Sequence, residues 1–567
     1  MSQEEVGQYA GQQISLLHWE RYAQRQVHEQ RLQNNKVEVK VLDITFSPHG
    51  GRRLVCQLQS ESCYLKVGAC MLLIPSHEGP HLRGMMVRRN RSQITIQVSR
   101  VGSLRPGSEV QLMACWVDAT PQLIPILNSL PDYKTLLRDV ILSGGALRGR
   151  RGSLITDLTF FNDTLNESQK QAVMYALESR TLSIVHGPPG TGKTTVLLEI
   201  IRQFQARCPT SRVLLAAGTN LAVDGLSQLL CDASVSICRL GNPVRVSSSL
   251  SHVVADTSTR TGLSAKVQLS KQAFVTAATI HGCMGRIMAA MSAPDPYGLV
   301  VVDEAAQIME SHIWAAVTRG LQLILAGDHM QLPPVVLSRR GHKELSRSLM
   351  ERLVNEGHPA SLLSTQHRSN AIIGQWISDE FYSSTLEPSA RMRYATLSDL
   401  PGVSSCMFTR AAMVLVDTFR SPESKMEMTE SSLNEGESRL VIQVLRKLLR
   451  RGLDEQHVGI ISPYAAQVNT IRQALPHGSR VMVSTVDGFQ GMEREVVIFS
   501  AVRCNEEGKI GFLNDRRRLN VAVSRAKRQF VLVGDTATLK KNKVFYSLIE
   551  YIKGCGLVVK MRGMNLD

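Results

Sequence analysis

With 567 residues, 43% of them hydrophobic, the chain is long for one domain, and at about 150 residues each it has room for three or four units. No uninterrupted apolar run approaches the roughly 20 residues of a membrane helix, and the start MSQEEVGQYAGQQ lacks the basic head and apolar core of a secretory signal, so an intracellular protein of nucleus or cytoplasm, without membrane attachment, is expected. The 65 basic against 49 acidic side chains leave a net charge of +16, which points to a polyanionic partner such as nucleic acid. The 11 cysteines contain no CxxC pair, so neither a zinc ribbon nor a disulfide framework is indicated. Cys56, Cys63 and Cys70 repeat every seven residues in a strand-rich region, where buried free thiols are the simpler account.

In chain order, residues 12 to about 34 carry Leu16, Trp19, Ala23 and Val27 on a polar background, the spacing of one apolar helix stripe. From Lys36 the period changes. VEVKVLDITF, RLVCQLQ, ACMLLI, GMMVRR, QITIQVS and EVQLMACWV are six short strand-like runs separated by turn residues, the pattern of a small closed barrel. A second helical stretch, Asp132 to Ser143, follows, and the basic loop GGALRGRRGS, with Arg148, Arg150 and Arg151, leads onward as a solvated linker or a phosphate contact. The barrel then reads as a module carried on a helical stalk.

Beyond Leu154 apolar strands alternate with helices: LSIV, RVLLAAG, FVTAAT, LVVVDEAAQ and LQLILAGD. This is the signature of a parallel sheet covered on both faces. The series restarts with AAMVLVD, HVGIISPY, VMVSTVDGF, VVIFSAV and FVLVGD, a second sheet of similar size. The expected units are a stalk helix at 1–35, a barrel at 36–118, a second stalk helix with linker at 119–153, and two α/β lobes at 154–345 and 346–567.

GPPGTGKT lies between LSIVH and TVLLEIIRQF, a strand, a glycine-rich turn and a helix start in that order. Such a turn, here Gly187, Pro188, Pro189, Gly190, Thr191, Gly192, Lys193, Thr194 and Thr195, wraps phosphates and aims the backbone N–H groups of its non-proline residues at them. Lys193 reaches the β- and γ-oxygens, and the Thr194 hydroxyl binds Mg²⁺. The site is for ATP or GTP. Asp303 and Glu304 end a very apolar strand, where open α/β sheets place ligands; Asp303 suits Mg²⁺ and Glu304 suits the attacking water. Gln331 in GDHMQLPP can sense the γ-phosphate. Arg368 and Arg525 of the second sheet can supply charge across a cleft to the γ-phosphate in the transition state, a surface arginine being the alternative. With one P-loop for two sheets, the nucleotide is expected between them.

The ordered set LNESQKQAV, GPPGTGKT, GTNLAVDGL, VTAATIHG, VVVDEAAQ, GDHMQLPP, QHRSN, GIISPYAAQV, STVDGFQGMEREVVI and RLNVAVSRAK closely resembles superfamily 1 helicases. Within them it is most similar to the group of the nonsense-mediated-decay RNA helicase and the immunoglobulin-mu-binding helicase, and closest to the latter. The resemblance implies two tandem RecA-like P-loop lobes and ATP with Mg²⁺ as cofactors. It also implies 5′-to-3′ movement, as a monomer, on single-stranded DNA or RNA, held mainly through sugar and phosphate. It assigns Gln169, with Asn166, to the adenine edge, Tyr464 to stacking on the base, and Glu493 to the ribose. Thr219, Asn220, Asp224, Thr279 and Thr485 fall in motifs that grip the strand or relay to it.

Departures from that pattern are local. QHRSN stands where QYRMH is common, so His367 replaces an aromatic while Arg368 is retained. GTNLAVDGL has Gly-Thr where Ala/Pro-Ser is usual, and the insertion after it, a frequent nucleic-acid contact, is short, about Ser247 to Gln272. Accessory nucleic-acid-binding and zinc-finger modules of the animal mu-binding helicase have no counterpart. A different class of function also fits, a clamp or ribonucleoprotein remodelling factor, activated by a protein partner, in which ATP controls dwell time without unwinding. A small-molecule kinase does not account for the second sheet and its arginines.

Overall fold

Every second side chain of VEVKV is apolar, and the strand it forms buries Val37, Val39 and Val41 toward one interior. The computed structural model describes residues 2–34, 37–46, 52–59, 68–76, 80–90, 92–98, 100–115, 118–143, 158–257, 262–291, 296–418, 423–425 and 431–560. A 32-residue helix, α1 (Gln3–Asn34), comes first. Six strands then close a barrel: β1 (Val37–Phe46), β2 (Arg52–Leu58), β3 (Cys70–Pro75), β4 (Leu82–Arg89), β5 (Gln93–Val98) and β6 (Glu109–Ala114), in the order β1-β2-β5-β4-β3-β6. The expected barrel is therefore present, filled by Leu54, Cys56, Met71, Met86, Ile96 and their neighbours. Burial pushes the Cys56 thiol up to about 12, so it behaves as an inert apolar group. Cys63 and the loop arginines 148, 150 and 151 lie outside the described residues.

Two helices follow the barrel. α2 (Thr120–Asn128) was hidden in the sequence by Pro121 in its first turn and Pro125 inside it. α3 (Leu136–Leu142) starts later than Asp132 because Thr135 caps it, its side chain accepting from the Arg138 N–H at 3.1 Å. α1 likewise begins nine residues before position 12, and it buries Val6, Ala10 and Leu17. The Tyr9 hydroxyl donates to Glu310 at 2.6 Å, the Trp314 ring N–H donates to Tyr9 at 2.9 Å, and Arg352 pairs with Glu310 at 2.9 Å. Further along α1, the buried Glu20 carboxylate accepts from the backbone N–H groups of Leu337 and Ser338 at 3.1 and 2.9 Å.

The first sheet has eight parallel strands. Helix α4 (Glu167–Glu178) leads into β7 (Leu182–His186), α5 (Lys193–Arg207), β8 (Val213–Ala217), α6 (Asn220–Asp232), β9 (Ile237–Gly241), β10 (Val254–Asp256), β11 (Val275–Thr279), β12 (Tyr297–Asp303), β13 (Gly320–Gly327) and β14 (Ala360–Leu362). Their order is β10-β9-β11-β8-β12-β13-β7-β14. Nearly continuous apolar runs form these strands because helices cover both faces. Among the described residues the short insertion supplies the 3-10 helix Ser248–Val253, edge strand β10 and the helix Leu263–Gln272. The sheet also takes β14 from beyond residue 345, hydrogen-bonded to β7.

A short parallel pair, β15 (Thr365–Gln366) with β16 (Glu387–Pro388), leads to the second sheet. That sheet contains β17 (Met413–Asp417), β20 (Val458–Ser462), β21 (Met482–Thr485), β22 (Arg494–Ser500), β23 (Ala526–Gly534) and β24 (Leu557–Lys560), while β18 (Ser424–Lys425) and β19 (Ser432–Leu433) form a separate small pair. Its order is β21-β20-β22-β23-β17-β24, again all parallel. Within this sheet edge strand β24 is the one the sequence reading did not foresee, as β9, β10 and β14 were not foreseen in the first. Among the described residues no helix is long and apolar enough to cross a membrane.

One buried carboxylate here sets a pH dependence. Glu437, in the first turn of the helix Glu435–Arg450, accepts from the Ser500 hydroxyl at 2.6 Å and the Val502 N–H at 2.8 Å, and burial pushes its carboxyl up to about 8. A raised folded-state value favours the neutral form, so the stabilisation is complete below the ordinary value of 4.5 and is lost as pH rises through about 8. The expected loss is about 1.4 kcal/mol per pH unit within that window. Urea unfolding of wild type and Glu437→Gln across it should show a slope for wild type that the variant lacks; parallel curves would mean that Glu437 ionises freely in the native state.

Candidate active site

β7 is short, buried except at its last residue His186, and followed at once by Gly187, so the chain leaves the sheet at its C-terminal edge and turns into α5. The turn requires positive φ at Gly190 (+73°) and Gly192 (+79°). Gly190 meets a second demand, because a Cβ there would lie 2.5 Å from the Arg368 Cβ. The second sheet's arginine loop packs directly on the phosphate loop, and the His367 N–H donates to the Gly190 carbonyl at 2.8 Å. Gly192 begins α5 with no side-chain cap, leaving first-turn N–H groups for an anion.

Lys193 Nζ is 2.6 Å from Glu304 Oε1 and 3.1 Å from Asp303 Oδ1. Burial works against its ammonium, but the two carboxylates outweigh this and raise its pKa. Asp303 ends β12 with its carboxyl raised by burial, an effect that Lys193 reduces. Glu304 adopts a left-handed backbone, φ +53°, uncommon outside glycine and asparagine, and the Gln307 amide holds its second oxygen at 2.6 Å. Two carboxylates on one ammonium leave a net negative charge at this wall.

The facing wall is positive. Arg368 Nε is 2.5 Å from Glu493 Oε2, whose other oxygen is 2.9 Å from Lys527. Burial would raise the Glu493 carboxyl, but Arg368 and Lys527 lower it. Arg525, 4% exposed, donates to Gln331 Oε1 at 2.7 Å. Burial and then Arg368 push its pKa down to about 9, which leaves it charged at neutral pH. A cavity of about 620 Å³ joins the two walls and is lined by the phosphate loop through Thr195, Thr219, Asp303, Glu304, Gln331, His367, Arg368, Glu493 and Arg525, with Gln307, Asp487 and Gln490 among residues the sequence reading missed. Thr194 and Asp303 border it with hydroxyl and carboxylate oxygens, donors of the kind Mg²⁺ takes.

Several expected residues lie elsewhere. Tyr464 is 3% exposed, its hydroxyl donating to the Ile510 carbonyl at 3.3 Å and its ring 5.8 Å from that of Phe512, so it lies outside the cavity beneath a covering aromatic. Gln169 and Asn166 form a capping box on α4. The Gln169 amide also donates to the Thr191 carbonyl at 3.0 Å, so both its ends are engaged, while Asn166 Nδ2 donates to His367 Nε2 at 3.2 Å. Thr219 lines the cavity and caps α6. Thr279 and Thr485 accept from the N–H groups of Gly282 and Gly488. Asn220 and Asp224 both bind Arg239 at 2.8 Å, a guanidinium with no exposed surface.

The chain is similar to known proteins over most of this region. Profiles described as an AAA domain match residues 164–273 and 263–339, and a second such profile matches 345–537. The chain is 31% identical over 502 residues to DNA polymerase alpha-associated DNA helicase A of Schizosaccharomyces pombe, covering 77% of this chain and 74% of that protein. It is 35% identical over 476 residues to DNA-binding protein SMUBP-2 of Rattus norvegicus, covering 74% of this chain and 48% of that one. An uncharacterized ATP-dependent helicase of Methanocaldococcus jannaschii is 30% identical, with 70% of this chain and 71% of that protein covered. The chain spans about half the length of the rat and mouse SMUBP-2 proteins. The protein belongs to the superfamily 1 helicases.

Asp224 offers a check on structural against strand-binding roles. Asp224→Ala strands a buried guanidinium, and the expected cost is about 3–5 kcal/mol, read as a lower unfolding midpoint. An unchanged midpoint together with weaker binding of single strands would return Asp224 to the strand.

Proposed function

We propose that this chain is an ATP- and Mg²⁺-dependent helicase or translocase that moves 5′ to 3′ along single-stranded DNA or RNA. In this reading its sheets are tandem RecA-like lobes, and it falls in the group of the immunoglobulin-mu-binding helicases. The observation that carries it is a single cavity with the phosphate loop and acidic pair on one wall and Arg368 and Arg525 on the other. The units proposed are the stalk helix at 1–35, the barrel at 36–118, the second stalk helix with linker at 119–153 and the two lobes, and the pairing of β14 with β7 favours a change of lobe just after Leu362 over one at 345. The names of the fission-yeast and rat relatives, a DNA helicase and a DNA-binding protein, make DNA the first strand to test.

The chain's own residues supply the chemistry. Phosphate at the α5 N-terminus gives Lys193 a new anionic partner and releases Glu304 to orient water and take its proton. Arg368 and Arg525 exchange Glu493 and Gln331 for the equatorial oxygens, where charge builds in the transition state. Mg²⁺ held by Thr194 and Asp303 would neutralise phosphate charge. The base-reading roles of Asn166, Gln169 and Tyr464 require these side chains to leave their present partners, and the strand roles of Asn220, Asp224, Thr279 and Thr485 rest on motif position.

ATP turnover should rise on adding poly(dT) or poly(U), and more at low salt than at high, because the grip is on phosphate. Turnover indifferent to both polymers, or no displacement of a tailed duplex, would favour a remodelling factor. Glu304→Gln should retain ATP binding while turnover falls roughly 10²-fold or more. Arg525→Ala should lose about 10³-fold with ATP affinity within about tenfold; full turnover in either variant would remove that residue from its role.

A further inference from the structure

A chain of hydrogen bonds that crosses between the two sheets ends on the cavity, and nothing in the proposed chemistry uses its far end. Asp328 follows β13 and is 2% exposed. Its Oδ1 is 2.9 Å from His186 Nε2, at the end of β7, and its Oδ2 accepts from the Gln331 amide at 2.7 Å and from the Tyr382 hydroxyl at 2.5 Å. Tyr382, the C-terminal cap of the helix Ala371–Phe381, belongs to the apolar core packed on the second sheet and is 5% exposed. The Asn520 amide donates both to the Tyr382 hydroxyl at 3.0 Å and to the Met330 carbonyl at 2.8 Å.

The donor and acceptor roles along this chain follow from valence. An ionised carboxylate only accepts, so Gln331 must present Nε2 to Asp328 and Oε1 to Arg525. Burial alone would raise the Asp328 carboxyl, but its bonds from His186, Tyr382 and Gln331 outweigh this and hold it ionised. With both contacts on Oδ2 made, the Gln331 amide has one orientation, and Arg525 has one acceptor at the cavity edge. Removing the Tyr382 hydroxyl frees half of Oδ2, deprives Asn520 of a partner and breaks the side-chain tie from Tyr382 to the phosphate-sensing loop.

We infer that Tyr382 is a positioning residue for nucleotide hydrolysis: through Asp328 it fixes the Gln331 amide and so the presentation of Arg525, making turnover depend on the second sheet being seated on the first. This rests on the reading of the cavity as an ATP-hydrolysing site. It assigns Tyr382 no contact with nucleotide. Its loss should lower kcat and leave ATP binding nearly unchanged.

The test is strand-stimulated ATP turnover by wild type, Tyr382→Phe, Gln331→Ala and the double variant, with thermal unfolding of each. Tyr382→Phe keeps the ring and its packing, so the variant should fold with a midpoint lowered by the loss of one buried hydrogen-bond partner, and turnover is compared at a temperature well below that midpoint. The expected result is a roughly tenfold or greater fall in kcat, KM for ATP within about twofold, and a double variant no slower than Gln331→Ala alone, since both changes cut one chain. An unchanged kcat, a loss confined to KM, or losses that multiply in the double variant would each overturn the role of Tyr382 while leaving the ATPase reading intact. A wild-type protein without ATP turnover would overturn both.

Discussion

A cation taken out of water must keep a counter-charge or a full set of acceptors, and the described structure is built around several that do. Arg239, without exposed surface, joins α6 to β9 through Asn220 and Asp224. Arg352 joins the stalk to the first sheet, binding Glu310, which also receives the Tyr9 hydroxyl of α1, and donating to the Ile141 carbonyl of α3. Lys193, Arg368 and Arg525 obey the same rule at the cavity, with one difference in geometry. Their partners, Glu304, Glu493 and Gln331, lie on the cavity wall, where an incoming polyanion can compete for the cation. Arg239 and Arg352 bond within packed structure and have no such competitor. The same physical requirement therefore produces both rigid joints and exchangeable ones, and position relative to the cavity decides which.

Sheet topology explains why the exchangeable pairs meet. β7, β12 and β13 are neighbours in a parallel sheet, so the phosphate loop, the Asp303–Glu304 pair and Asp328 all emerge at one edge. The second sheet brings Arg525 at the start of β23 and Glu493 just ahead of β22, strands paired in parallel. The absence of a side chain at Gly190 then lets the Arg368 loop press against the phosphate loop. Had either sheet been antiparallel, these groups would have been divided between opposite ends.

Where chemistry and local period coincided, the sequence was legible. Six alternating runs gave the barrel, and apolar runs at βα spacing gave five of the eight strands of the first sheet and five of the six of the second, because a side chain's burial there depends on its neighbours in the chain. The cavity's phosphate loop, acidic pair and arginines were legible for the same reason: each belongs to a motif whose residue types are dictated by phosphate chemistry. What escaped was fixed by distant contacts. The prolines of α2 are tolerated because that helix packs on α1 and on Glu310–Val317. β14 joins the first sheet by pairing with β7 although residues 187–359 lie between the two strands in the chain. Asp224, placed by motif at the strand, is drawn inward by Arg239, a partner fifteen residues away whose burial the sequence does not announce. Tyr382 carries no motif signal, being one apolar aromatic at a helix end.

The loop from Asp328 to Gly341 draws these features together. At its start Asp328 is bonded to His186 of the first sheet and to Tyr382 from beyond it. Near its end Glu20 of α1 binds two successive backbone N–H groups, Arg340 lies over the Trp19 ring at 4.3 Å, and a Cβ at Gly341 would lie 2.8 Å from Leu16 and Trp19. Gln331 is thus carried on a short segment anchored to three bodies: first sheet, second sheet and the stalk that leads to the barrel. Pro333 and Pro334 stiffen the stretch between the anchors. A stiff segment tied at both ends cannot absorb a shift of one anchor by local bending alone. Gln331, and the Arg525 guanidinium bonded to it, therefore sit between contacts made by Tyr382 at one end of the segment and contacts made by α1 at the other.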